Sequence, residues 1–136
     1  MKFFLYNFIL ILLLPLIISR LIIRSLKDRD YIKNISNRFG IYEIETESNP
    51  VWFHAVSLGE VISSETLIKK ILNENKVVLS VSTPTGYRQA KKIFGNSLQI
   101  VYAPWDIYFF VNSFLKKFNP KALIIFETEI WPSMIK

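Results

Sequence analysis

A chain of 136 residues is long enough for one domain with a core, and this one carries a formal charge of +6, no cysteine and one histidine. The lack of cysteine fits a cytoplasmic domain without demanding one, and a single histidine, His54, cannot build a metal site with others. No Arg-rich stripe, zinc-ligand spacing or RNA-binding signature accompanies the positive charge, which argues against a nucleic-acid partner.

Residues 3–19, FFLYNFILILLLPLIIS, hold no charge in 17 positions and are followed by Arg20. A helix of that length spans roughly 25 Å, and residues 21–23 extend it if Arg20 snorkels. The run ends in Ile17, Ile18, Ser19 and Arg20 rather than in the small residues of a cleavable signal, and Pro15 is better tolerated in a membrane helix than in a soluble one. Residues 1–27 are therefore expected to form a transmembrane anchor. Arg20, Arg24, Lys27, Arg29, Lys33 and Arg38 come after the span while only Lys2 and the terminal amine precede it, so the positive-inside rule places the C-terminal remainder of the chain in the cytoplasm. Residues 51–136 carry ten Lys and Arg against six acids, an excess that fits either an ordinary solvated surface or attraction to anionic lipid head groups.

Between residues 28 and 39, Tyr31, Ile32, Ile35 and Phe39 recur at helical spacing, which predicts an amphipathic helix closed by Gly40 as C-cap. Residues 41–50 are acidic, lack apolar pattern and end in Asn49 and Pro50. They read as a linker, so the unit 28–50 is expected to precede a domain beginning at Val51.

From Val51 onward, short apolar runs at 51–55, 77–82, 99–103 and 122–126 alternate with segments long enough for helices at 60–73, 85–94 and 107–118. Strand and helix repeated in this order predict an α/β domain over 51–136, a Rossmann-like parallel sheet with right-handed crossovers. In such sheets the ligand site lies beyond the carboxyl ends of the strands. Four segments bring polar and special-backbone residues to that edge: HAVSLGE at 54–60, the Ser82 to Gly86 run STPTG, YAPWD at 102–106 and ETEIWP at 127–132.

Each candidate has a plain structural alternative. Ser57 and Glu60 are spaced as a capping box, yet Glu60 and Glu127 together are the equipment for deprotonating a hydroxyl or stabilising a cationic transition state. Glu127 or Glu129 could instead cap a helix beginning near Pro132, and Trp131 reads as packing. His54 inside VWFHA reads as a core residue. STPTG lacks the spacing and lysine of a phosphate-binding P-loop, although a helix start there could receive an anion.

The joint pattern WFHAVSLGE, STPTG, YAPWD and ETEIWP, in this order behind an apolar N-terminal segment, resembles the Kdo (3-deoxy-D-manno-octulosonic acid) transferases of lipopolysaccharide assembly. The resemblance implies the N-terminal half of a GT-B glycosyltransferase that moves Kdo from CMP-Kdo to a lipid A precursor without a metal. Its place would be the cytoplasmic face of the bacterial inner membrane, held by a single-pass anchor. Carried over residue by residue, Glu60 would be the general base and Glu127 the second functional carboxylate. Ser57, Gly59, Thr83, Thr85, Gly86 and Glu129 would line the acceptor cleft, and basic residues would face phosphates of the lipid and the membrane. The resemblance covers about the first third of a family member, and the donor-binding second domain has no counterpart in these residues, so the chain alone is expected to be inactive. The reading of another class is a non-catalytic membrane-anchored module that binds anionic lipid or a partner protein.

Overall fold

The structure, a computed structural model, describes residues 2–46, 49–127 and 130–136. Helix α1 (Lys2–Ser25) contains Pro15 and buries only Leu21 and Ser25, leaving Phe4, Phe8, Leu12, Leu16 and Ile23 bare to the outside. It is long and apolar enough to cross a membrane. Its opposite side lies along the rest of the molecule. The Tyr6 hydroxyl donates to Asp106 Oδ2 at 2.7 Å, and Asn7 Oδ1 accepts the Tyr108 N–H at 2.7 Å.

The amphipathic helix expected over 28–39 is absent. Two 3₁₀ turns, Arg29–Tyr31 and Ile35–Phe39, stand in its place, separated by Asn34 at φ 52°. The Asp28 side chain accepts the Asp30 N–H and caps the first turn, and Arg88 reaches over to bond both acids, at 2.9 Å to Asp28 and 2.6 Å to Asp30. These tertiary ties outweigh a helical spacing that only a few apolar residues carried. Gly40 does close the segment in the left-handed region at φ 74°, and a side chain there would collide with the Phe110 carbonyl. The stretch expected as a linker brings Tyr42 into the core, where its hydroxyl donates to the Tyr102 carbonyl at 2.9 Å.

Four strands come next: β1 (Val51–His54), β2 (Val77–Val81), β3 (Gln99–Tyr102) and β4 (Ala122–Ile125). Each lies inside one of the apolar runs expected to be strands, shorter by one residue. They form one parallel sheet of order β3-β2-β1-β4, with Val51 opposite both Val77 and Ala122. Helices α2 (Leu58–Leu72), α3 (Pro84–Phe94) and α4 (Tyr108–Phe118) make the crossovers. The fold is thus α/β, an apolar N-terminal helix followed by a parallel sheet.

The strands read as continuous apolar runs because both faces are covered. Phe53, Leu79, Val81 and Ile100 point to the side of α2 and α3, where Val61, Ile68, Ala90 and Phe94 complete one core. Trp52, Val78 and Val101 alternate to the other side and pack on Val111, Phe114 and Phe118 of α4, with Tyr42 and Met134. Successive strands step one way from β1 to β3, then the chain returns to place β4 on the far side of β1. The strand order therefore reverses between β1 and β4, which in an open α/β sheet is where a crevice opens at the carboxyl edge.

Candidate functional site

Glu60 and Glu127 follow the two strands that flank this reversal. The β1–β4 ladder ends with the Phe126 N–H donating to the His54 carbonyl at 3.0 Å, so Val56 and Glu127 leave adjacent strands at the same edge. Glu127 is exposed and sits at φ 66°, in the left-handed region.

Ser57 is the N-cap of α2. Its hydroxyl accepts the Glu60 N–H at 3.4 Å and donates to Glu60 Oε1 at 2.9 Å, while Glu60 Oε2 accepts the Val56 N–H at 2.8 Å. The capping box is real, with the acid reaching back one residue further than in the usual form. Both oxygens are oriented by these bonds, and each keeps a free lone pair, so capping and proton acceptance are compatible in one carboxylate.

The neighbouring strand end is held by the same peptide: the Ser82 N–H donates to the Val56 carbonyl at 3.0 Å. Thr83 caps α3 by accepting the Gly86 N–H at 3.1 Å, and the exposed Thr85 hydroxyl lies 3.3 Å from Thr83 Oγ1. Gly86 is buried, and a Cβ on it would stand 3.0 Å from Thr83 Oγ1, 3.3 Å from the Ser57 carbonyl carbon and 3.4 Å from the Leu58 nitrogen. Its smallness thus lets the starts of α2 and α3 touch. Gly59 is the reverse case: it is exposed, helical and faces open space, so the fold itself does not require a glycine there. Glu129 lies outside the described residues.

His54, the last residue of β1, is fully buried. Its Nδ1 is 2.8 Å from Ser80 Oγ, which also accepts the Trp52 indole N–H at 2.7 Å. Burial pushes its pKa down from 6.5 to about 4, so it is a neutral core residue at physiological pH. Two polar residues that spacing did not single out prove central. Asp106, in YAPWD, is buried and accepts the backbone N–H groups of Ser133 and Met134 in addition to the Tyr6 hydroxyl. Arg38 is buried, stacks over Tyr102 with its guanidinium carbon 4.7 Å from the ring centre, and donates to the Ser82 carbonyl at 2.9 Å.

In an open parallel α/β sheet the point where the strand order reverses is the usual place for a ligand, and comparison with known proteins gives the family. Residues 33–136 match a family described as 3-deoxy-D-manno-octulosonic-acid transferase (kdotransferase), and the chain belongs to that family. It is similar to the 3-deoxy-D-manno-octulosonic acid transferase of Haemophilus influenzae, 31% identical over 97% of this chain and 32% of that protein. A "bifunctional glycosyltransferase/methyltransferase" of Fusobacterium nucleatum is 37% identical over 62% of the chain and 14% of its own length. A "probable 3-deoxy-D-manno-octulosonic acid transferase, mitochondrial" of Arabidopsis thaliana is 32% identical over 89% of the chain and 28% of its own length. The chain thus spans about a third or less of these relatives and matches the N-terminal portion of the Kdo transferases.

Proposed function

We propose that the chain is the acceptor-binding, N-terminal part of a GT-B glycosyltransferase that transfers Kdo from CMP-Kdo to a lipid A precursor, and that it carries the catalytic base. The observation that supports this most is the position of Glu60 and Glu127 beyond the two strands between which the sheet order reverses. Glu60, its orientation set by Ser57 and Val56, takes the proton from the acceptor hydroxyl as that oxygen bonds the anomeric carbon of Kdo. The bond from that carbon to the CMP phosphate breaks, and CMP leaves with its electron pair. Glu127 faces the same crevice as the second carboxylate, Ser57, Gly59, Thr83 and Thr85 line it, Gly86 brings its two helix starts together, and Glu129 is assigned to the acceptor side. Residues 51–136 form the sheet unit, with 28–50 leading into it. The donor nucleotide is assigned to sequence of the kind the relatives carry beyond the matched portion.

The test joins residues 1–136 to the remaining, roughly two-thirds, portion of the H. influenzae relative and follows Kdo transfer to a lipid A precursor. The chimera is expected to turn over and the 136-residue chain alone to be silent. Turnover by residues 1–136 alone would remove the donor site from the portion of the relatives beyond the match. A folded but inert chimera that still binds acceptor would favour the non-catalytic lipid- or partner-binding module, the reading that the capping bonds of Glu60 support.

Helix α1, long and apolar enough to cross a membrane, supports association of the chain with the bacterial inner membrane. The basic flank after it supports a single-pass span with the sheet in the cytoplasm. The bonds of Tyr6 and Asn7 to the sheet unit support a second arrangement, in which α1 lies in the plane of the membrane surface with its bare apolar face in lipid. Reporters fused before Lys2 and after Phe39 separate them: opposite sides for a span, both cytoplasmic for an in-plane helix.

A further inference from the structure

Asp106 is a buried carboxylate whose partners come from two distant parts of the chain. Its Oδ2 accepts the Tyr6 hydroxyl of α1 at 2.7 Å and the Ser133 N–H at 3.0 Å, and its Oδ1 accepts the Met134 N–H at 3.1 Å. Ser133 Oγ donates in turn to the Asp106 carbonyl at 2.7 Å. A buried acid needs donors to offset its lost hydration, and these three are all neutral groups. Where they sit in the chain decides what the carboxylate does.

Ser133 and Met134 belong to the segment that leaves β4, and Glu127 lies in the same segment, six residues before Ser133. Strand β4 is at one end of the sheet order and β3, which precedes Asp106 by a short loop, is at the other. The segment thus begins at one side of the sheet and is fastened to the other. At its start the Phe126 N–H is tied to the His54 carbonyl, and further on the Trp131 ring meets the His54 ring edge to face, with centroids 5.1 Å apart. Asp106 supplies the last tie. Its own loop is held by the Trp105 N–H, which donates to the Arg38 carbonyl at 2.9 Å. Glu127 needs such support, because a left-handed backbone costs a non-glycine residue energy and persists where the flanking structure imposes it.

We propose that Asp106 is a positioning residue for Glu127: it fastens the segment after β4 so that Glu127 keeps its place at the β1–β4 reversal, and through Tyr6 it makes that placement depend on the docking of α1. The role rests on the reading of Glu127 as the second functional carboxylate. Asp106 is itself buried and acts only through the chain it holds. The Tyr6 hydroxyl and the Ser133 N–H share one carboxylate oxygen, so the helix and the segment meet at a single atom.

The experiment reads the segment and the chemistry separately. The full chain in an uncharged detergent is digested with a glutamate-specific protease, and cleavage after Glu127 is compared with cleavage after Glu74, an exposed residue in the turn beyond α2. Asp106→Ala removes every side-chain acceptor and should raise cleavage after Glu127 about tenfold, with cleavage after Glu74 within about twofold of wild type. Asp106→Asn keeps one oxygen for the two N–H groups and should recover much of the protection. Tyr6→Phe should raise cleavage after Glu127 by a smaller factor, and should add nothing to Asp106→Ala, because both act through one carboxylate. In the chimera with the H. influenzae relative, Asp106→Ala should lower kcat about tenfold and leave the acceptor KM within about twofold. Cleavage that rises equally at both glutamates, or at neither, would overturn the proposal and leave Asp106 a part of the general packing. Additive effects of Tyr6→Phe and Asp106→Ala would overturn the link to α1. Glu127→Gln in the same chimera keeps the two readings apart. A normal kcat there would withdraw the function of Glu127 and leave the cleavage pattern to decide whether Asp106 holds its segment. A lowered kcat there, beside a normal one in Asp106→Ala, would overturn the positioning role alone.

Discussion

Ser57 and Glu60 bond each other twice: the serine hydroxyl accepts the glutamate N–H and donates to its carboxylate. This reciprocity makes Glu60→Gln a clean probe. The amide can accept from the Val56 N–H through its oxygen and donate to Ser57 through its nitrogen, so stability should change by no more than about 1 kcal/mol. Glu60→Ala loses both ties and should cost about 1–2 kcal/mol. In the active chimera, Glu60→Gln should reduce turnover roughly 10²–10⁴-fold while the acceptor still binds. Near-normal turnover in the folded glutamine variant would leave Glu60 as a cap alone.

Gly59 and Gly86 should respond in opposite ways. Gly86→Ala sets a methyl 3.0 Å from Thr83 Oγ1 and 3.3 and 3.4 Å from the Ser57–Leu58 peptide, so these neighbours at the two helix starts must give by a few tenths of an ångström. A loss of about 1–3 kcal/mol is expected, read as a lowered denaturation midpoint. Gly59→Ala meets open space in a helical conformation and should be neutral or stabilising by up to about 1 kcal/mol. A drop in acceptor affinity for Gly59→Ala without any loss of stability would show that the open space belongs to the ligand.

Much of the sheet was legible because its strands are apolar runs with alternating residues bound for two cores, and Gly, Pro, Ser and Asn punctuate them. The edge positions of Glu60 and Glu127 were legible for the same reason, since each follows a strand or its turn. The segment from 28 to 39 was not. Four apolar residues at helical spacing fit two 3₁₀ turns as well as one helix, and the Arg88 that bonds Asp28 and Asp30 in those turns lies some 60 residues away. Arg38 was hidden by its company: among six basic residues flanking an apolar helix, nothing in the spacing marks the one that is buried. Asp106 was hidden likewise, because its partners, Tyr6 and Ser133, are distant in sequence. Nor did the sequence distinguish Gly86, which is in close contact, from Gly59, which faces open space, since only the packed structure tells the two apart.

Asp106 joins α1 to the final residues through Tyr6, Ser133 and Met134. Asp106→Asn replaces one acceptor oxygen with a donor facing donors, and should cost about 1–3 kcal/mol. Burial holds the wild-type carboxyl above its ordinary 3.8, with the N–H donors opposing. The folded protein therefore takes up this proton before the unfolded chain does. Stability from this group is greatest at acid pH and falls as pH rises through the folded value. The gap between wild type and Asp106→Asn should accordingly narrow as pH rises from about 4 toward neutrality. A gap that widens would mean the donors outweigh burial.

His54 should titrate with the opposite sign. Trp52 donates its indole N–H to Ser80 Oγ, so the Ser80 hydroxyl proton is free to be donated to His54 Nδ1, and the network assigns the remaining ring proton to Nε2. Charging the ring would add a proton where Ser80 already supplies one and would place a cation in a fully buried strand. The folded pKa is consequently about 4 against 6.5 for a free imidazole. As pH falls below 6.5 the unfolded chain binds a proton that the folded protein refuses, so stability declines by up to about 1.4 kcal/mol per pH unit. The decline ends near pH 4 after a loss of roughly 3 kcal/mol. His54→Gln lacks the titration. Urea denaturation of both proteins between pH 7 and 4 should show a steeper loss for wild type, whatever the shared carboxylates contribute. Ser80→Ala gives the complementary reading: it strands the Trp52 N–H and should cost about 1–3 kcal/mol at pH 7. Because burial is the cause of the depressed pKa, the acid loss should persist in Ser80→Ala. Parallel pH profiles for wild type and His54→Gln would show that the imidazole accepts its proton in the folded state and that the core around it is wetter than its burial implies.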